Sequence, residues 1–120
     1  MSAAAWIAVG LLGGIAAGAR FVLDAEVTAR LGHRFPFGIL AVNLLGALAL
    51  GIVAGAALHG EALGIVAGGA IGSFTTFSTW ILDSHRLQRA GHADLALLNV
   101  GVSLLAGFAA VTLGHWLGSL

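Results

Sequence analysis

The sequence predicts an all-α membrane protein with four transmembrane helices, in one domain that covers residues 1–120. Hydrophobic residues make up 59% of the chain and charged residues only 8%, whereas a soluble domain carries about 25% charged residues. Four charge-poor segments are long enough to cross a bilayer, which takes about 20 apolar residues. The chain also contains 19 glycines, and small residues let helices approach closely in lipid. We therefore expect a multi-pass protein of the cell membrane.

Short polar connections separate the four predicted helices. The apolar segments run over residues 3–23, 35–58, 62–82 and 95–117. Pro36 fits the first turn of the second helix, where the N–H that proline lacks would have no partner. Residues 1–6 contain no basic side chain, so a cleaved signal peptide is not expected.

The arginines of the connections predict the orientation of the chain. Arg30 and Arg34 belong to the first connection and Arg86 and Arg89 to the third, whereas the termini and the second connection contain neither arginine nor lysine. Because cytoplasmic loops are enriched in these residues, both termini are predicted to lie outside. The five basic residues balance five acidic ones, so no nucleic-acid partner is expected.

Many glycines recur at four-residue spacing, which places them on one face of a helix. Such faces let helix backbones approach closely, and this supplies packing energy where lipid removes the hydrophobic driving force. Four short helices enclose little volume, so a hydrated pathway would require an oligomer. The spaced glycines are Gly14/Gly18, Gly51/Gly55, Gly64/Gly68/Gly72 and Gly114/Gly118.

Hydroxyl residues cluster in the third segment, where five of the seven residues 73–79 are serine or threonine. An isolated hydroxyl in a membrane helix usually bonds to the preceding turn. A dense cluster beside glycines instead predicts a helix that is broken in the middle of the membrane. The carbonyl groups exposed at such a break are suitable ligands for a small hard cation.

Three more polar residues lie at membrane depth, and each has two interpretations. Asn43 and Asn99 either bond to a neighbouring helix or offer amide N–H groups to an anion in a pathway. Arg20 either extends to the membrane interface or lies at the vestibule of a pore, where it attracts anions.

Three motifs built from these residues resemble the CrcB/Fluc fluoride channel family, in order along the chain. Residues 13–21 read GGIAAGARF, similar to the family pattern GGxxGAxxRY. Residues 37–46 read FGILAVNLLG, similar to GTLxVNxxG, and residues 72–79 read GSFTTFST, similar to GGxTTFST. The resemblance extends over essentially the whole chain.

The resemblance implies a passive, fluoride-selective channel that exports cytoplasmic fluoride and relieves its toxicity. Members of the family are antiparallel dimers of dual topology, with two pores and a central structural Na⁺ that is not transported. By resemblance, the backbone carbonyls of Gly72 and Thr75 from each subunit would hold this ion. An enzymatic activity is not expected.

The resemblance also implies which side chains line the pore. Asn43 is the best candidate donor to fluoride, and Thr79 and Ser103 are its hydroxyl partners. Two phenylalanines line the pores of the family; the first corresponds to Phe77, and the second is Trp80 here. The edges of aromatic rings carry positive quadrupole charge, which attracts an anion.

Some positions depart from the family pattern. The indole N–H of Trp80 could donate to the ion directly, or the bulk of the ring could narrow the pore. Asn99 stands where the family often has tyrosine, so Asn99 and Ser103, one turn apart, would form a polar track.

The arginine bias bears on the partner, because a dual-topology homodimer needs nearly neutral loops. The chain is expected to pair either with itself or with an oppositely oriented paralogue. The alternative function is that of a small multidrug-resistance-type exporter, also a four-helix antiparallel dimer. That chemistry needs a carboxylate inside the membrane, yet the first helix has none before Asp24.

Overall fold

The computed structural model describes all of residues 1–120, and every regular element in it is helical. Four helical stretches are long and apolar enough to cross a membrane, as predicted. The third of these spans, Gly60–Arg89, is composed of several pieces. The elements in chain order are α1 (Ala3–Leu31), α2 (Phe37–Gly55), α3 (Gly60–Leu63), a π-helix (Gly64–Ile71), α4 (Gly72–Phe74), α5 (Phe77–Arg89) and α6 (Ala93–Gly118).

Helix α1 is longer than the apolar segment that predicted it. Its 29 residues correspond to about 44 Å at 1.5 Å per residue, more than the roughly 30 Å of the hydrocarbon core. The last turns carry Asp24, Glu26 and Arg30, which can remain helical because they reach water. The helix ends at Leu31 and is followed by Gly32, whose φ of +84° suits glycine.

Helices α2 and α6 form the most extensive helix–helix contact of the chain. Glycines allow their backbones to touch: a β-carbon at Gly51 would collide with the carbonyl of Val111, and one at Gly114 with the carbonyl of Leu48. Gly55 and Gly118 are equally close to the facing backbone. The packing role predicted for these two spaced pairs is confirmed.

Helix α1 packs against the π-helix of the third span. A β-carbon at Gly69 would lie 3.0 Å from the Cα of Val9, so this contact also depends on a glycine. By contrast, Gly14, Gly18 and Gly68 have open space where a side chain would stand. Of the four predicted glycine faces, Gly14/Gly18 is therefore open within one chain, and the face of Gly64/Gly68/Gly72 is open at Gly68.

The interior of the bundle is small. Only 13 of 120 residues are buried, and Val42 and Asn99 are the largest side chains that are fully buried. Large apolar side chains cover the outside on every span, including Leu11, Leu105 and Phe108. Such a surface suits lipid or another apolar protein surface.

Candidate functional site

The third span is interrupted at Thr75 and Thr76, between α4 and α5. Both residues have extended backbone conformations, with φ and ψ of −82° and 160° at Thr75 and −145° and 123° at Thr76. The hydroxyl cluster stabilises both sides of this break: Thr75 Oγ1 donates to the Ile71 carbonyl at 3.2 Å, and Thr76 Oγ1 accepts from the Thr79 N–H at 3.2 Å. The predicted break in the third helix is confirmed.

Asn43 of α2 pairs with the backbone of the break. Its Nδ2 donates to the Thr76 carbonyl at 2.9 Å, and its Oδ1 accepts from the Thr76 N–H at 2.8 Å. In a continuous α-helix that N–H would donate to the Gly72 carbonyl, so the break deprives Gly72 of its usual donor. A primary amide has two N–H groups, and the pairing with Thr76 uses one. Asn43 thus bonds to a neighbouring helix and keeps a second N–H.

Arg20 of α1 reaches the same break. Its Nη1 donates to the Thr75 carbonyl at 3.4 Å, and the side chain is half-buried. Because the Arg20 side chain points inward, it does not extend to the membrane interface, which was one of the two interpretations of this residue. Arg20 and Asn43 therefore bond to consecutive carbonyl groups, those of Thr75 and Thr76.

The break also places the start of α5 in the middle of the third span. The first N–H groups of an α-helix lack acceptors within the helix, and the helix dipole makes this end attractive to anions. Around it, Thr76 Oγ1 lies 3.2 Å from Thr79 Oγ1 and 3.4 Å from Ser78 Oγ. The site therefore combines N–H and O–H donors with a nearby guanidinium group.

Phe77 and Trp80 extend from the first turn of α5. Their rings meet edge to face, with centroids 5.4 Å apart and planes at 70°. Phe77 is 71% exposed, whereas Trp80 is half-buried. The pair therefore presents Phe77 to the outside of this chain, with Trp80 behind it.

Asn99 of α6 lies in the contact between α5 and α6 and is only 1% exposed. Its Nδ2 donates to Ser84 Oγ at 2.8 Å, and Ser103 Oγ donates to its Oδ1 at 3.5 Å. The indole Nε1 of Trp80 donates to the Asn99 carbonyl at 3.5 Å. Asn99 therefore bonds to a neighbouring helix, which was one of its two interpretations. The indole N–H of Trp80 is directed at the α6 backbone.

The structure brings the predicted site residues together in two groups. Arg20, Asn43, Thr75 and Thr79 surround the break, while Trp80 and Ser103 are linked through Asn99; Gly72 lies just before the break and is exposed. Sequence reasoning did not single out Ser84, which Asn99 contacts. Its position four residues after Trp80, one turn along the same helix face, was the available signal.

A cavity of about 830 Å³ lies at one end of the bundle. Residues of both arginine-containing connections line it, including Arg34, Arg86 and His92, so the first and third connections share this end. At the other end, the Ser2 N–H donates to Glu61 Oε1 at 2.5 Å, which joins the N-terminus to the second connection. The two connections that contain arginine therefore lie at the same end of the molecule.

The fold and the break together define a small membrane protein of the channel and transporter class, in which broken helices present backbone groups at membrane depth. A family model described as "CrcB-like protein, Camphor Resistance (CrcB)" matches residues 7–115. The chain belongs to the CrcB family.

Curated relatives agree with this membership. A protein of Mycobacterium bovis named fluoride-specific ion channel FluC 2 is 42% identical over 120 residues, which cover 100% of this chain and 95% of the relative. A protein of Symbiobacterium thermophilum with the same name is 48% identical over 108 residues, or 86% and 88% of the two chains. The fluoride-specific ion channel FluC of Magnetococcus marinus is 43% identical over 121 residues, covering 97% of each.

Proposed function

We propose that this chain forms a passive, fluoride-selective channel that exports cytoplasmic fluoride and relieves its toxicity. The relatives that match nearly the whole chain carry the name of fluoride-specific ion channels. The observation that carries the proposal is the broken third span, where Asn43 and hydroxyl groups present hydrogen-bond donors at membrane depth. Hydrofluoric acid crosses membranes as a neutral molecule and releases fluoride inside. A negative-inside potential then drives the anion out through an open path.

Fluoride is strongly hydrated, so the pore must replace its water with donors. Asn43 supplies its second amide N–H, and Thr79 supplies its hydroxyl group. Ser103 supplies its hydroxyl by giving up the long 3.5 Å bond to Asn99 Oδ1. Phe77 and Trp80 offer the positive edges of their rings, which attract an anion without holding it tightly. Arg20 raises the local anion concentration near the break. No covalent step occurs, so the protein acts as a channel and not as an enzyme.

The conducting unit in this proposal is an antiparallel dimer, formed with a second copy or with an oppositely oriented paralogue. Three glycines on helix faces, Gly14, Gly18 and Gly68, have open space around them, and small residues favour helix contacts in lipid. Phe77 is exposed on a single chain, so a partner can complete the wall of a pore around it. Two-fold symmetry would bring the two breaks together.

The residues at the break fit a structural Na⁺ ion. The Gly72 carbonyl has lost its helical donor to Asn43. The Thr75 carbonyl accepts one long bond of 3.4 Å, from Arg20, and this guanidinium would have to move away for the carbonyl to bind a cation. Carbonyl oxygens are good ligands for hard cations. Gly72 and Thr75 of each subunit would hold the ion, which would neutralise carbonyl dipoles where the two chains meet.

The orientation follows from the segregation of charge. Both arginine-containing connections line one cavity, and the positive-inside preference assigns that end to the cytoplasm. Both termini of a chain inserted in this preferred orientation then lie outside the cell, and a second copy in an antiparallel dimer would have the opposite orientation. Asp24 and Asp83 also line this end cavity, away from the break, which disfavours a multidrug exporter that binds its cargo at a mid-membrane carboxylate.

The test is fluoride efflux from liposomes that contain the purified protein, with chloride as the comparison anion. Asn43→Asp replaces the amide donor by a carboxylate, which cannot donate to the Thr76 carbonyl and repels fluoride. The variant loses the hydrogen bond from the Asn43 amide to the charged fluoride ion, which is worth about 3 kcal/mol. Fluoride efflux should therefore decrease by about 100-fold or more.

Thr112→Val is the matched control, because Thr112 is exposed and bonds only to its own helix. It should conduct like the original chain. Selective fluoride efflux that Asn43→Asp abolishes supports the channel. Absence of fluoride efflux from folded protein, with and without an oppositely oriented paralogue, would contradict it.

A further inference from the structure

We propose that Asn99 and Ser84 are positioning residues that fix the indole of Trp80 and turn its N–H away from the permeating ion. This inference rests on the proposed channel function, since it concerns the aromatic pair that faces the pathway. Its evidence is a closed set of hydrogen bonds between α5 and α6.

The three residues bond in a ring. Ser84 Oγ donates to the Trp80 carbonyl at 3.0 Å and accepts from Asn99 Nδ2 at 2.8 Å. The indole Nε1 of Trp80 then donates to the Asn99 carbonyl at 3.5 Å, which closes the ring. Trp80 is therefore held at two points, its backbone and the far edge of its side chain.

Two members of the ring are buried in the contact between α5 and α6. Asn99 is 1% exposed and Ser84 is 8% exposed, and no buried side-chain polar atom lacks a partner. Hydrogen bonds in a low-dielectric interior are strong when complete, and costly when one partner is removed. The long bond of the indole N–H would be weak alone. The shorter Asn99–Ser84 bond holds α5 and α6 at the separation at which the indole bond can form.

This arrangement sets the geometry of Phe77 as well. The Phe77 ring meets the Trp80 ring at a centroid distance of 5.4 Å and an angle of 70°, while Phe77 itself is 71% exposed. A change in the angle of the indole would therefore move the surface against which the exposed Phe77 ring packs. Asn99 acts on the pathway through Trp80 and then Phe77.

The chemical consequence concerns selectivity. A free indole N–H is a strong donor that binds chloride as well as fluoride, whereas ring edges attract an anion only through the quadrupole. With the N–H directed at the α6 backbone, Trp80 offers ring atoms to the ion, as a phenylalanine would.

A double-mutant cycle on anion efflux tests the coupling. Asn99→Leu keeps the side-chain size but removes the amide, and it is measured both in the original chain and in a Trp80→Phe background. In the original chain we expect fluoride efflux to fall about tenfold, the equivalent of one hydrogen bond, and fluoride/chloride selectivity to fall with it. In the Trp80→Phe background, which has no indole N–H to release, the loss of selectivity on adding Asn99→Leu should be much smaller, because the long bond to Ser103 is then the only lost contact with a residue that faces the ion.

An equal loss of selectivity in both backgrounds would mean that Asn99 only packs α6 against α5, and would overturn the proposal. The absence of any loss in the original chain would overturn it too. Ser84→Ala is a smaller change that breaks the same ring, so it replaces Asn99→Leu if that variant does not fold. Its effect on selectivity should have the same direction.

Tryptophan fluorescence provides a readout that does not depend on conduction. The chain has three tryptophans, so Trp6→Phe with Trp116→Phe leaves Trp80 as the single emitter. In this background Asn99→Leu should lower the steady-state anisotropy of Trp80 and shift its emission, because the indole is released. Unchanged anisotropy and emission would refute the positioning role. A changed signal in a chain that conducts no fluoride, with or without an oppositely oriented paralogue, would uphold the positioning role and refute the proposed function.

Discussion

The glycines of α2 and α6 and those of α1 have the same four-residue spacing but different surroundings. At Gly51 and Gly114 the facing backbone occupies the space of a side chain, whereas Gly14 and Gly18 face open space. In lipid, where no hydrophobic force drives helices together, such a face gains energy only when another helix packs closely against it. The spacing therefore predicts a contact surface, but only the fold decides whether the same chain or another one covers it.

The largest expected effect is on the covered glycines. Gly114→Val would place side-chain atoms where the Leu48 carbonyl lies, and α2 and α6 would have to separate. Overpacking of this kind costs about 3 kcal/mol, to be measured as the loss of unfolding free energy in detergent. Gly107→Val on the same helix is the matched control, since its surroundings are open. Equal losses in the two variants would show that valine in α6, and not the contact, is responsible.

The next effect distinguishes the open face from the covered one. Gly18→Leu adds a side chain where nothing lies within 4 Å, so the free energy of unfolding of the single chain should change by less than about 0.5 kcal/mol. If this face binds a second chain, the dimer should weaken about tenfold, or 1.4 kcal/mol. Fluorescence energy transfer between labelled chains in liposomes measures this equilibrium. Unaltered dimerisation would show that the open glycines of α1 are not an interface.

The smallest effect concerns how α1 is attached at its N-terminal end. Ser2 Oγ accepts from the Ala5 N–H at 3.1 Å and so caps the helix, and its backbone N–H bonds to Glu61. Ser2→Ala removes the cap and should lower the unfolding free energy by about 1 kcal/mol. Ser119→Ala is the control at the opposite terminus, where the hydroxyl bonds only to the adjacent turn. A loss as large for Ser119→Ala would indicate a general effect of terminal hydroxyl groups.

The sequence predicted the fold well because hydropathy reports directly on what crosses the bilayer. It did not predict that α1 continues to Leu31, since apolar composition marks the edge of the hydrocarbon and not the end of the helix. The hydroxyl cluster predicted a break in the third helix, and the structure locates it at Thr75 and Thr76. The π-helix over Gly64–Ile71 had no distinct signal, because its wide turns depend on how glycines pack against α1.

At the site, the sequence identified residues but not their partners. Asn43 and the hydroxyl cluster were both recognised, yet their distance of 33 positions along the chain left their pairing to tertiary structure. Asn99 was placed in a polar track with Ser103, whereas the fold also directs its amide at Ser84. A buried asparagine in the sequence predicts a polar contact at that depth of the membrane. Which partner its side chain reaches depends on how the two helices are rotated against each other.

The break is built largely from main-chain atoms, and this affects what genetics can detect. Substitution of a side chain cannot delete the carbonyl of Gly72, Thr75 or Thr76, so an alanine scan would pass over these oxygens with little loss. Variants that change the course of the backbone, such as proline at these positions, would affect them. In a mutational survey of this chain, substitutions at Asn43 would therefore show a large loss of function. The carbonyl groups of the break would show almost none.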